Sequence, residues 1–318
     1  MKSSVELSVV TSLYGSSPYV EEFHRRAGAA CRKLTDRYEI IFVNDGSPDD
    51  ALDRVVQLQA HDPRVIVVDL SRNFGHHQAL MTGLNYALGD LVFLIDCDLE
   101  EDPDWLFSFH ETLRSRNGDV VFGVQEKRKG ESFERFSGWL FYKMFNVLSN
   151  SRTPPNATTA RLMSRRYVDA LLSYSEREVY LPGLWPHAGY LQIPQAVQKR
   201  SKGSTTYSLV RKLSLAVNAI TSFSNKPLIF IFYTGLLLSA AASGYILWLL
   251  QRRIFHGIPI MGWSSLIVSI WFLGGLTIFF IGVLGIYLAK VFSEIKQRPR
   301  SIVRQVLPVS RDSGEKRS

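Results

Sequence analysis

Two stretches of this chain carry no charged residue: 228–250 (LIFIFYTGLLLSAAASGYILWLL) and 264–289 (SSLIVSIWFLGGLTIFFIGVLGIYLA). Each is longer than the roughly 20 residues a helix needs to cross a bilayer. Two spans after more than 220 preceding residues argue against a purely soluble protein and against a polytopic transporter. The expectation is a large N-terminal domain tethered by a two-helix hairpin. Lys and Arg flank that hairpin unevenly. Six fall in 199–226 and eight in 290–317, whereas the 251–263 loop has Arg252 and Arg253 alone. The positive-inside bias therefore predicts a multi-pass protein of the inner (plasma) membrane, with its large domain and its tail cytoplasmic. Gly274, Gly275, Gly282 and Gly285 would let a further helix approach closely.

The first 125 residues alternate between apolar runs and helix-like stretches. Val5–Leu13, Tyr38–Asn44, Arg64–Leu70, Asp90–Ile95 and Asp119–Val124 read as buried strands. Stretches at 18–34, 48–60, 75–88 and 103–116 read as helices, the second capped by Ser47 with Pro48 at its first position. Continuous apolar strands separated by helices predict βαβ units and a mostly parallel α/β sheet. Residues 133–149 and 205–225 carry apolar stripes at helical spacing. The first suits either a core-facing or an interfacial helix, and the second an amphipathic helix at the bilayer surface. The tail beyond 298 is polar and basic and reads as disordered.

Charge and cysteine usage remove other classes. The formal net charge of +8 comes with no nucleic-acid motif, so an anionic membrane or a phosphorylated ligand accounts for it better. Cys31 and Cys97 are too few for a disulfide framework. Met1–Glu6 is polar and does not resemble a secretory signal. No G-x-G-x-x-G or Walker loop is present.

The chemistry concentrates where strands end. Asp96-Cys97-Asp98-Leu99-Glu100-Glu101-Asp102 follows the strand DLVFLI. Crowded carboxylates repel one another unless a cation neutralises them, and hard oxygen donors suit Mg2+ or Mn2+. The plain alternative is a solvated acidic loop. Asp45-Gly46-Ser47 ends the second strand, where Asp45 suits a ribose or base, or simply a β–α turn. Tyr14 ends the first and offers a stacking face. His76 and His77 read as packing or capping residues.

Together, VVTSLY (9–14), VNDGSPDD (43–50), LSRNFGHHQAL (70–80), DCDLEEDPDW (96–105), ARLMSRR (160–166) and KRSKGSTTY (199–207), with the terminal hairpin, resemble the GT-A fold of family 2 glycosyltransferases. The nearer resemblance is to polyisoprenyl-phosphate glycosyltransferases, the group of the bactoprenol glucosyltransferases and dolichol-phosphate mannose synthases. It implies a GT-A domain over 1–200, a juxtamembrane amphipathic helix over 201–227, transmembrane helices within 228–289 and a basic tail over 290–318. It implies that Tyr14, Asp45 and Asp96 hold the nucleotide and that Asp98 and Glu100 hold the metal. Asp96, Asp98 and Arg200 would serve catalysis, while Arg128, Arg161 and Ser164 would hold the acceptor phosphate. Departures stand at Thr11-Ser12-Leu13-Tyr14-Gly15 and at Ser204-Thr205-Thr206, where relatives often carry proline–tyrosine–asparagine–glutamate and glutamate–serine–lysine. The implied activity is inverting transfer of a sugar, glucose from UDP-glucose, to polyprenyl (undecaprenyl) phosphate by a homo-oligomer, a tetramer being one form. A processive polysaccharide synthase and a non-catalytic nucleotide-binding scaffold are the alternatives; the first lacks its Gln-x-x-Arg-Trp motif here.

Overall fold

The computed structural model describes residues 5–125, 156–177, 179–199, 226–256 and 262–308, which fall into two units. Arg128, Arg200 and the stripes at 133–149 and 205–225 lie outside the described residues.

The α/β unit contains β1 (Leu7–Leu13), α1 (Val20–Arg32), β2 (Tyr38–Asn44), α2 (Ala51–His61), β3 (Val65–Leu70), α3 (His76–Tyr86), β4 (Leu91–Leu94), α4 (Trp105–Ser115) and β5 (Val120–Gln125). It continues through β6 (Ala157–Ser164), α5 (Arg165–Leu172), α6 (Leu181–His187) and β7 (Gln192–Val197), and it closes with β8 (Val303–Leu307). The strands form one sheet in the order β7-β5-β6-β4-β1-β2-β3-β8. β1 pairs in parallel with β2 and β4, β2 with β3, and β5 with β7. β6 runs antiparallel between β4 and β5, and β8 antiparallel along β3. Six strands thus point their carboxyl ends to one edge.

Helices on both faces explain why the strands are apolar without alternation. All seven residues of β2 are buried. Phe23 of α1 meets Phe42 edge-on at 5.7 Å, and Phe93 meets Phe109 of α4 at 6.2 Å. α3 approaches the sheet so closely that a Cβ at Gly83 would stand 2.5 Å from Val10 Cγ1. Burying such side chains contributes roughly 1.5–3 kcal/mol each.

Four features differ from the sequence expectation. β6 and β7 were not legible: β6 contains two threonines and an arginine, and β7 a proline, yet pairing within the sheet makes both strands. α2 starts at Ala51 rather than behind Ser47, because the Ser47 hydroxyl donates to Asp49 Oδ1 at 2.6 Å instead of capping. The tail is not wholly disordered. Its β8 covers the β3 edge, with Val306 buried, Arg304 3.3 Å from Asp69 Oδ2, and Ser301 hydrogen-bonded to Thr82 at 2.7 Å. That pairing satisfies backbone groups an open edge would leave unpaired.

The second unit contains α7 (Lys226–His256) and α8 (Trp263–Ile295). Within α8, the 27 residues Ser269–Ile295 are long and apolar enough to cross a membrane, and none of that stretch is buried. Trp271 is 79% and Ile278 72% exposed, which requires lipid or another apolar partner. The apolar stretch in α7, Lys226–Ala242, is shorter. One described helix, rather than the expected two, meets the spanning length.

Candidate active site

The order β3-β2-β1-β4 reverses direction between β1 and β4, and ligand crevices form at such points beyond the carboxyl ends of strands. Ser12, Tyr14, Asp45, Asp96 and Lys199 all lie at that edge, at the ends of β1, β2, β4 and β7.

β4 delivers the chain into Asp96-Cys97-Asp98. The turn is tight: Leu99 has φ +60°, a left-handed conformation that costs a branched residue energy and persists only when surroundings impose it. Asp98 Oδ1 accepts the Glu100 N–H at 3.1 Å, folding the acidic turn on itself. Asp102 turns away to pair with Arg26 of α1. Glu101 instead points inward and is fully buried. Its Oε1 accepts the Thr159 N–H at 3.0 Å and lies 3.0 Å from Lys199 Nζ. Glu101 Oε2 and Asp96 Oδ1 are buried oxygens without a hydrogen-bond partner.

The electrostatics follow from this crowding. Burial raises the Asp96 pKa; the adjacent Asp98 and Glu100 charges add to that, and the Lys199 ammonium opposes it. Burial and the Asp96 charge likewise raise Glu101. Burial alone would lower Lys199, but the Glu101, Asp96 and Glu100 carboxylates outweigh it and hold Lys199 raised. His76 completes the cluster. Its Nδ1 hydrogen-bonds Ser12 Oγ at 2.9 Å, and its Nε2 stands 3.4 Å from Asp96 Oδ1. Burial lowers its pKa, favouring the neutral ring. His77 packs edge-on to Tyr180 at 5.6 Å, which is the packing role expected of it.

Asp45 is 2% exposed, and each of its oxygens holds a backbone amide: Phe74 N–H at 2.7 Å and Gly75 N–H at 3.0 Å. It therefore anchors the Ser71–Gly75 loop, although two lone pairs remain for a ligand. Gly46 permits this contact. Its φ is +62°, and a Cβ there would stand 2.6 Å from the Asn73 nitrogen. Tyr14 is 58% exposed at the end of β1.

Two expected acceptor residues are placed elsewhere. Arg161 is 1% exposed; it donates to the Thr158 and Thr159 carbonyls at 3.2 Å each and packs over the Trp185 ring. Its guanidinium is closed in by α6 rather than presented to a phosphate. Ser164 pairs in register with Leu91, at the amino end of β4, and donates to Asp119 at 3.2 Å. Because β6 runs antiparallel, its Ser164 end is the edge opposite the acidic turn. Arg165 is bound there too, donating to the Gly89 and Ala87 carbonyls. The sequence reading missed Glu101 and Lys199 as site residues and took His76 for packing. The signal for Glu101 lay within the acidic run; that for Lys199 was its place before Arg200.

Among the described residues, no three His, Cys, Asp or Glu side chains converge into a metal cage. The hard Asp96 Oδ1, buried without a hydrogen bond, and the mutual repulsion of the carboxylates nevertheless fit a hydrated divalent ion. Such an ion takes one or two protein carboxylates and fills its shell with water and substrate phosphate oxygens.

The chain is similar to known proteins over most of its length. The model of the glycosyl transferase family 2 matches residues 8–172. A Mycobacterium tuberculosis protein named as a glycosyltransferase is 51% identical over 305 residues, covering 95% of this chain and 88% of its own. The Escherichia coli prophage bactoprenol glucosyl transferase homolog is 32% identical, covering 95% and 99%, and the bactoprenol glucosyl transferase of Shigella phage SfII is 30% identical, covering 95% and 98%. Among solved structures, a Pyrobaculum calidifontis mannosyltransferase in complex with GDP-Man and Mn2+ is similar with a TM-score of 0.45 at 14% identity over 91% of this chain and 88% of its own. That score is too low for the likeness to carry weight.

Proposed function

The chain belongs to glycosyl transferase family 2, and from that premise we propose that it moves glucose from UDP-glucose to a polyprenyl phosphate at the cytoplasmic face of the plasma membrane. The observation that carries this reading is the acidic turn Asp96–Glu101, held with Lys199 at the carboxyl edge of the sheet beside the loop that Asp45 anchors. Relatives named for bactoprenol, at 30–32% identity over nearly their whole length, favour a lipid carrier as acceptor. The unburied apolar α8 supports a membrane location, with α7 as the second arm of a hairpin. The basic residues flanking that hairpin favour the cytoplasmic face.

In this reading Tyr14 and Asp45 position the nucleotide, and Asp96 lies near the ribose and diphosphate. Asp98 and Glu100 would hold Mg2+ or Mn2+. When bound, that ion supplies electrostatic stabilisation to a departing diphosphate. An oxygen of the acceptor phosphate attacks C1 of the sugar. The C1–O bond to the diphosphate breaks, its electron pair leaves with the nucleoside diphosphate, and the anomeric centre inverts. The acceptor needs no general base, because a phosphate monoester with a second pKa of about 6 is largely dianionic at pH 7. It needs cations, and Arg128 is the candidate, with Arg200 kept for the donor diphosphate. Arg161 acts from within the fold.

The test is a donor screen in detergent against short polyprenyl phosphate, with and without EDTA. Labelled lipid from UDP-glucose, lost with EDTA and restored by Mg2+ or Mn2+, is the expected result. Labelled polymer would instead indicate a processive synthase, and nucleotide binding without transfer a scaffold. A product retaining the donor's anomeric configuration would exclude the single displacement.

A further inference from the structure

Lys199 reaches the acidic turn from the far side of the sheet. It follows β7, the outermost strand on one side, yet its Nζ lies 3.0 Å from the Glu101 carboxylate beyond β4. An ion pair serving stability alone would be dry and saturated, since desolvating two charges is repaid only by complete hydrogen bonding. This pair is neither. The Lys199 side chain is 23% exposed, and Glu101 Oε2 is buried without a hydrogen-bond partner. An ammonium has three N–H donors, and Glu101 takes one. The pair is better suited to hold a cation ready than to close a core.

We propose that Lys199 is a ligand of the donor diphosphate and that Glu101 is the positioning residue that holds it at the end of β4. This rests on the nucleotide-sugar reading above. Glu101 is itself locked by the Thr159 N–H of β6, so its oxygen is a fixed post. The ammonium pivots on that post, giving one N–H to Glu101 and the others to diphosphate oxygens. A cation placed where the leaving group gathers charge stabilises the transition state, because it needs no reorganisation at the moment of bond breaking. Arg200, next in sequence, would then share the diphosphate rather than hold it alone.

The experiment uses the full-length protein in detergent. It measures UDP and GDP binding by calorimetry and, in parallel, steady-state transfer from UDP-glucose to short polyprenyl phosphate. Lys199→Ala is expected to weaken nucleoside diphosphate binding and raise donor KM by roughly 10- to 100-fold, the range for a lost charge-assisted hydrogen bond. Acceptor KM stays as in wild type. Lys199→Arg retains most of the affinity. Glu101→Gln produces a smaller loss of the same kind, and the double variant is no worse than Lys199→Ala alone, as expected of residues acting as a unit. Should Lys199→Ala not fold, Lys199→Gln takes its place. Wild-type nucleotide affinity and donor KM in the lysine variant overturn the proposal, as do additive losses in the double variant or a lowered melting temperature with donor KM intact. If the wild-type protein binds neither UDP nor GDP, the nucleotide-sugar reading itself fails and takes this proposal with it. The wild-type control separates that outcome from the others.

Discussion

The Asp45 carboxylate accepts the Phe74 backbone N–H at 2.7 Å, joining the end of β2 to the loop after β3 across 29 residues of sequence. With the second bond to Gly75, one buried side chain sets the path of the Ser71–Gly75 loop and the start of α3, whose first residue is His76. The loop therefore takes its shape from a residue on another strand.

Replacing Asp45 with Asn should expose this dependence. One amide oxygen can accept one backbone N–H, while the new NH2 faces the other donor. An unsatisfied buried group costs about 1–3 kcal/mol. We expect a lowered melting temperature together with weaker nucleotide binding, read by calorimetry and thermal denaturation. Wild-type values in both would show that the loop does not rely on Asp45.

Arg161 tests where the structure departs from the family expectation. Its guanidinium satisfies two backbone carbonyls and covers Trp185 inside the fold. Arg161→Ala should lose packing and strand both carbonyls, destabilising the protein by roughly 2–4 kcal/mol. Among folded molecules, KM for polyprenyl phosphate should stay near wild type. A stable variant with a strongly raised acceptor KM would return Arg161 to the phosphate.

The raised carboxylates make the metal-free protein pH-sensitive in a defined sense. Asp96 and Glu101 have folded-state pKa values above their unfolded ones, so the folded state binds more protons. Their contribution to stability is complete below the ordinary carboxylate range, about pH 4, and is lost as pH rises toward neutrality. In EDTA, the melting temperature should fall over that interval, and Glu101→Gln should flatten the fall. A melting temperature that rises through the same window would reverse the assigned sign.

The tail strand supplies a fourth test. Val306 is 2% exposed and pairs in register with Val68 of β3. A carboxylate at that position has no partner and is costly to bury. Val306→Asp should detach β8, speeding amide exchange along β3 and lowering thermal stability. Unchanged protection of β3 would show that β8 contributes little to that edge.

The features legible in the residues alone were the local ones. The apolar runs of β1 to β5 could be read because helices cover both faces of the sheet, so most positions in such a strand are hydrophobic and do not alternate with polar ones. The α8 span could be read because no charge falls within 264–289. Asp96 and Asp98 could be located because an acidic run after a buried strand has one place to go, the carboxyl edge. Tertiary structure decided the rest through pairings distant in sequence. Direction along β6 sends Ser164 to the wrong edge and seals Arg161 under α6, although both sit in one short motif. The parallel pairing of β7 with β5 carries Lys199 to Glu101, and β8 turns a polar tail into a strand. No local pattern encodes these outcomes, because each depends on which strand lies next to which, and strand order is set by burial summed over the whole sheet.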